Sequence, residues 1–127
     1  RLAEIVERVT GKQGKIHAAT RTFQALRIAV NNELEELQKG IDRALRLLAP
    51  RGRIVVITFH SLEDRIVKNI FLQHAVKHES LPCGGWKERY EEPPIKIITK
   101  HVLTPSDEEQ RQNPRCRSAK LRAAERI

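Results

Sequence analysis

RIVVITFHSLEDRIVK, residues 53–68, is the stretch whose reading decides the fold. Its first part, RIVVITF (53–59), carries four consecutive apolar residues and is rich in β-branched ones. Such a run predicts a strand buried on both faces, as in a parallel sheet. A helix follows almost directly. Ser61 and Asp64 fit a capping box, and Leu62, Ile66 and Ile70 form the apolar stripe behind it. A strand that ends at the start of a helix is where ligands sit in open α/β sheets, because the helix N-terminus offers free N–H groups and a partial positive charge. His60, Ser61, Glu63, Asp64 and Arg65 fall at that junction. For Ser61 and Asp64 the capping box alone is a sufficient explanation. His60 stands out by position rather than by type.

Working outward, a helix is predicted to start near Thr20, with Thr20 as its N-cap. Phe23, Leu26, Val30, Leu34, Leu37, Ile41, Ala44 and Leu48 follow at steps of three and four, one stripe along a long helix. Gly40 is expected to kink this helix or split it in two, and Ala49, Pro50, Arg51 and Gly52 end the run. Residues 20–76 therefore read helix, strand, helix, the repeating unit of an α/β sheet. Residues 2–9 read as a short helix broken by Gly11 and Gly14. Downstream, residues 77–94 read as a surface excursion and residues 95–103 as a second strand. Thr104 and Pro105 predict the cap and first residue of a short helix, stopped by Asn113-Pro114. Residues 118–125 alternate as a strand with one polar face.

Lys and Arg outnumber Asp and Glu by 24 to 16, which favours an acidic partner, nucleic acid first among them. No apolar run has the length of a membrane span, and no signal peptide is visible. The two cysteines, Cys83 and Cys116, form no CxxC pair, which suits a reduced intracellular compartment. The chain starts at Arg1 within an apparent helix and has no methionine, so a piece of a longer protein is expected.

Two polar groupings accompany the strand-end junction. His17, Thr20, Arg21, Gln24, Arg27, Asn31 and Asn32 lie at or after a helix start, with Arg21, Gln24, Arg27 and Asn31 on one face. Such a row suits base edges and phosphates, although a solvated face opposite the apolar stripe is the commoner origin of a charged row. The adjacent asparagines are poor choices for an ordinary helix interior. Arg115, Arg117, Lys120 and Arg122 make a dense positive patch suited to phosphate contact, or equally to protecting an edge strand. His74 and His78 are four apart, but with only Cys83 near them they are a weak metal pattern. There is no Gly-rich phosphate loop and no Ser/His/Asp set, so residue chemistry alone names no reaction.

Three blocks carry a closer likeness: HAATRTFQALRIAVNNELEEL (17–37), GRIVVITFHSLEDRIVK (52–68) and LTPSDEEQRQNPRCRSAKLRAAERI (103–127). In content and order they resemble the ribosomal RNA small-subunit methyltransferase H family, also called MraW. The likeness extends from about Leu2 to Ile127. One departure is visible: the family usually has proline after the histidine at position 17, where this chain has Ala18.

The resemblance implies an α/β fold, the C-terminal part of a Rossmann-like seven-stranded S-adenosylmethionine-dependent methyltransferase. Residues 1–15 would be the end of a helical insertion and its linker, and residues 16–127 the C-terminal part of the methyltransferase domain. The strands at 53–59, 95–103 and 118–125 would be the last three of the sheet. The implied activity is cytosine-N4 methylation of small-subunit ribosomal RNA in the cytoplasm, with no membrane partner. The family's cofactor loop lies upstream of these blocks. No residue here is therefore expected to bind S-adenosyl-L-methionine, and the chain alone is expected to be inactive. His17, Thr20, Arg21, Gln24, Arg27, Ser61, Asp64 and Arg65 would hold the target base. Asn31, Asn32, His60 or Glu63 would accept the N4 hydrogen, and Arg115, Arg117, Lys120 and Arg122 would contact RNA. A strand at 53–59 lacking a neighbour predicts self-association. Two other readings remain open at this point, a non-catalytic RNA-binding module and a structural half that needs a partner chain.

Overall fold

Alternating exposure along Arg53–Thr58 (β1) is the first departure from expectation. In the computed structural model, which describes residues 1–11 and 19–127, only Ile54, Val56 and Thr58 of this strand turn inward. Val55 and Ile57 remain 58 % and 55 % exposed. The cause is the pairing partner. β1 runs antiparallel to β5 (Lys120–Arg126), with Ile54 opposite Ala124 and Val56 opposite Arg122. The core packs on the face of this pair that Ile54 and Val56 present.

The sheet order is β1-β5-β4, where β4 is Ile95–Ile97. β4 is also antiparallel to β5, so β1 and β4 run the same way. The expected α/β unit thus survives as β1, the helix α4 (Ser61–His74) and β4, but the last strand of the chain inserts between the two parallel ones. β4 is far shorter than the predicted 95–103. Beyond Ile97 the chain keeps only a single bridge, Leu103 to Leu121. The β4 edge is closed by Ala75–Val76, with Val76 N–H donating to Ile95 O.

The core of the Leu37–Ile127 unit lies between this sheet face and two helices. Ile41 and Leu45 come from α3 (Glu33–Leu47), and Val67, Ile70 and Phe71 from α4. They close over Ile95 and Ala124 of the sheet. The inward positions of α4 are 67, 70, 71 and 74, one helical face. Leu62, predicted for that stripe, is 41 % exposed. His74 is buried, and its Nδ1 lies 3.0 Å from Glu91 O and 3.1 Å from Pro93 O. Both partners only accept, so Nδ1 carries the proton and pins the return of the chain into β4. His78 lies beyond the end of α4, on an exposed strand, so the two histidines share no helix face.

The predicted surface excursion is an antiparallel hairpin, β2 (Lys77–Ser80) with β3 (Trp86–Arg89), exposed throughout. The short helix α5 (Asp107–Gln112) is capped by Ser106 with Glu109, not by Thr104. A 3₁₀ turn, Pro114–Ser118, leads into β5.

The Arg1–Glu36 unit contains α1 (Leu2–Thr10) packed on α2 (Ala19–Asn31). The predicted single long helix is in fact two. The break is at Asn32, whose φ of 51° is left-handed, and not at Gly40, which lies inside α3. Asparagine tolerates that region because its short amide bonds locally. Thr20 is inside α2 rather than its cap. Phe23, Leu26 and Val30, predicted as buried stripe, are 47 %, 47 % and 82 % exposed.

Among the described residues the outer edge of β1 has no strand partner, and its solvent face carries Val55 and Ile57. Open apolar edges template further pairing. The 127-residue chain alone is expected to self-associate in sedimentation velocity runs, increasingly so at higher concentration. A single monomeric species throughout would show that the edge is inert.

Candidate functional site

The junction between β1 and α4 is built on a capping box different from the predicted one. His60, with extended φ and ψ of −143° and 165°, is the N-cap. Its Nδ1 accepts the Glu63 backbone N–H at 3.4 Å. Glu63 reaches back, and its Oε2 accepts the N–H groups of Phe59 at 2.9 Å and His60 at 3.3 Å. The box therefore runs from position 60 to position 63, one residue before the Ser61–Asp64 pair. Histidine is an unusual cap, and only its placement on the strand end lets the ring turn back over the first turn.

The box decides what these side chains can do. Because Nδ1 accepts, the proton of the neutral His60 ring sits on Nε2. Nε2 is buried without a hydrogen-bond partner, although Glu63 Oε1 lies 3.2 Å away. Proximity there is not a directed bond, since an N–H must point along the ring plane. His60 thus has no lone pair to offer a substrate while the box is closed. Glu63 spends one oxygen on two backbone donors and sets the other against His60.

Asp64, freed from capping, takes Arg122 as a fork. Arg122 Nε donates to Oδ1 at 2.7 Å and Nη2 to Oδ2 at 3.1 Å. The two side chains are only 16 % and 13 % exposed. The Arg122 hydrogen bond, ahead of the opposing effect of burial, holds the Asp64 carboxyl below its ordinary range, with Arg122, Lys120 and Lys68 charges adding to it.

The predicted positive patch is accordingly divided. Lys120 and Arg122 alternate onto the α4 face of the sheet, where Arg122 is committed to Asp64. Arg115 and Arg117 are exposed on the 3₁₀ turn. Ser61 and Arg65 are also exposed on the first turns of α4. Beside the 3₁₀ turn lies an open cavity of about 450 Å³, lined mainly by Ile57, Leu103, Pro105, Cys116, Ala119 and Leu121.

In the Arg1–Glu36 unit, Thr20 and Arg21 are exposed on α2, and Gln24 is half-buried. Arg27 is paired to Glu33, Nε to Oε1 at 2.9 Å. Asn31 Nδ2 donates to Glu33 Oε1 at 3.1 Å, and Asn32 Nδ2 donates to Glu35. A carboxylate only accepts, so each amide nitrogen must face it and each amide oxygen is left to accept. His17 lies outside the described residues. Among the described residues no group of three or more His, Cys, Asp or Glu side chains is placed to hold a metal ion, and no helix is long and apolar enough to cross a membrane.

Comparison with known proteins gives a consistent result. Residues 1–127 match the family model described as the MraW methylase family. The chain is 52 % identical over 132 residues to the Ribosomal RNA small subunit methyltransferase H of Maricaulis maris (strain MCS10), covering 98 % of this chain and 38 % of that protein. It is 55 % identical over 126 residues to the protein of the same name from Xanthobacter autotrophicus (strain ATCC BAA-1158 / Py2), covering 98 % and 36 %. With that of Rickettsia prowazekii (strain Madrid E) it shares 51 % over 130 residues, covering 100 % and 42 %. The chain thus spans well under half the length of these curated relatives.

Proposed function

The chain belongs to the MraW methylase family, and on that premise we propose that it is the substrate-side part of an S-adenosylmethionine-dependent rRNA (cytosine-N4)-methyltransferase acting on small-subunit ribosomal RNA in the cytoplasm. The observation that supports this reading is the family match over residues 1–127, together with about half identity across nearly the whole chain to proteins named Ribosomal RNA small subunit methyltransferase H. On the same reading β1, β5 and β4 belong to a seven-stranded Rossmann-like sheet, residues 1–15 close a helical insertion, and residues 16–127 belong to the methyltransferase domain.

A nucleoside-type methyl donor needs an acidic partner for its ribose and a close backbone approach at a strand end. Among the described residues the two strand-end carboxylates are engaged, Glu63 by capping and Asp64 by Arg122. The one described glycine that a Cβ would crowd, Gly52, meets Ala49 of the preceding turn and lies before β1 rather than after it. The described residues do not by themselves fit S-adenosylmethionine.

What this chain's own residues contribute concerns the target base. The cytosine N4 lone pair is delocalised into the ring, so the amine must be held in line with the transferred methyl group while its hydrogens are accepted. The base has to be unstacked or single-stranded to be reached. Of the four candidate acceptors, Glu63 and His60 are committed to the capping box, which leaves the amide oxygens of Asn31 and Asn32. Thr20, Arg21 and Gln24 in the Arg1–Glu36 unit, and separately Ser61 and Arg65 in the Leu37–Ile127 unit, are proposed to contact the substrate RNA, and Arg115 and Arg117 to contact phosphates.

The test is transfer of labelled methyl to small-subunit RNA by the full polypeptide, with the product nucleoside identified by mass spectrometry. Asn31→Ala is expected to lower kcat by roughly 10²-fold, the lower end for losing a hydrogen acceptor, with KM little changed. Glu63→Gln, which preserves a capping box, is expected to keep most of the rate. Product at another atom would sink the cytosine-N4 assignment, and the reverse ranking of the two variants would sink the role of Asn31.

A further inference from the structure

The end of the sheet opposite the α4 junction carries a concentration of cations that the reading above leaves unused. Three segments meet there: the C-terminal turn of α3, the turn into β1, and the last residues of β5. Arg126 holds them together. Its Nη1 donates to Arg46 O at 3.3 Å and to Leu48 O, and its backbone exchanges hydrogen bonds of 2.9 Å with Arg51 and Gly52. Arg53 Nε lies 2.7 Å from Glu125 Oε2. Lys96 faces Glu125 across the β4–β5 pair. The Arg53 hydrogen bond, ahead of the opposing effect of burial, and then the charges of Arg53, Lys96 and Arg51 hold the Glu125 carboxyl below its ordinary range.

Three cations, Arg51, Arg53 and Lys96, thus attend a single carboxylate, and Arg46 and Arg126 belong to the segments that meet at the same end of the sheet. Arg46, Arg51, Arg53 and Lys96 are exposed, and Arg53 remains 70 % exposed although paired. Structural need explains Arg126 and part of Arg53. It does not explain the Arg51 side chain, nor a second cation at Lys96 opposite an acid that Arg53 already bonds. β1 spans Arg53 to Thr58, so this pole lies roughly 17 Å from the α4 junction at about 3.3 Å per residue.

We propose that this cationic pole is a second RNA contact, binding the phosphodiester backbone of a base-paired segment away from the target nucleotide. The inference rests on the RNA reading above for the identity of the polyanion. Composition favours duplex over single-stranded RNA: residues 46–53, 94–97 and 123–127, which meet at this end of the sheet, include no aromatic side chain, so they offer no stacking platform of the kind that grips unpaired bases. Positive charges without base-reading groups position a nucleic acid and carry no sequence information. Two contacts at opposite ends of one sheet would fix the orientation of the target on the protein.

The test uses the full polypeptide and the double variant Arg51→Gln/Lys96→Gln, with Arg51→Lys/Lys96→Arg as the charge-preserving control. Binding to small-subunit RNA is followed as a function of salt. The neutral variant is expected to show a salt slope shallower by about two, near one per lost phosphate contact, while the control keeps the wild-type slope. Methylation of a short single-stranded RNA containing the target is expected to be unchanged in both. An unchanged slope in the neutral variant overturns the proposal. So does loss of binding to anionic lipid vesicles with RNA binding intact, which would assign the pole to a membrane surface. If the wild type shows no salt-dependent RNA binding, the RNA reading itself falls, and the proposal with it.

Discussion

Replacing Phe71 by alanine is expected to destabilise the Leu37–Ile127 unit by about 4 kcal/mol, within the usual range for a buried aromatic truncated in a core. Phe71 is 2 % exposed and is among the largest fully enclosed side chains. It belongs to a cluster with Leu45, Val67, Ile95 and Ala124, drawn from two helices and two strands. Its loss therefore removes contacts to both helices and the sheet at once. Urea unfolding of wild type and Phe71→Ala followed by far-ultraviolet circular dichroism measures it. A midpoint shift worth less than about 1 kcal/mol would mean that the core collapses around the site, contrary to close packing. Phe71→Leu, which keeps most of the volume, is expected to cost much less.

Breaking the Asp64–Arg122 fork is the second large effect. Arg122→Ala leaves a part-buried carboxylate, 16 % exposed, without its hydrogen-bonded partner, and the expected cost is about 2 kcal/mol, in the range for losing hydrogen bonds to a charged group. The pH dependence carries a signature. The folded carboxyl titrates below its ordinary 3.8, mainly because Arg122 donates to it. A depressed carboxylate stabilises the fold at any pH above its unfolded value, and that stabilisation is lost as pH falls through the folded value. Wild type should therefore lose stability on acidification below about pH 4 more steeply than Asp64→Asn, in which nothing titrates at that position. Equal acid slopes for the two proteins would show that the fork contributes no linkage.

The fork also explains why the strand-end site was only half legible. The spacing of Ser61 and Asp64 fits a capping box, and so does that of His60 and Glu63 if histidine is allowed as a cap. Propensity favours serine. The structure selects His60 because Arg122, distant in sequence, arrives on β5 and takes Asp64. No local rule contains that partner. The same remoteness misdirects the positive patch: Lys120 and Arg122 look equivalent to Arg115 and Arg117 until strand alternation turns them toward α4.

Two misreadings of period have physical causes as well. The stripe from Phe23 to Leu48 is continuous in sequence, yet the helix breaks at Asn32, where an amide side chain stabilises a left-handed residue. The four apolar residues of β1 resemble a parallel strand covered on both sides, yet Val55 and Ile57 are exposed. A run of apolar residues reports capacity for burial and says nothing of what is available to cover it.

The sequence by itself determined the junction of strand and helix at residues 53–74, the α/β class, the basic character and, through three long blocks, the family. These rest on local patterns and on motif order, which need no knowledge of distant contacts. Tertiary structure alone decided that β5 lies between β1 and β4, that His60 rather than Ser61 caps α4, and that Arg51, Arg53 and Lys96 gather around Glu125. Each of these depends on residues dozens of positions apart being brought together by burial of one shared core, and a linear pattern does not encode which of many possible pairings that burial selects.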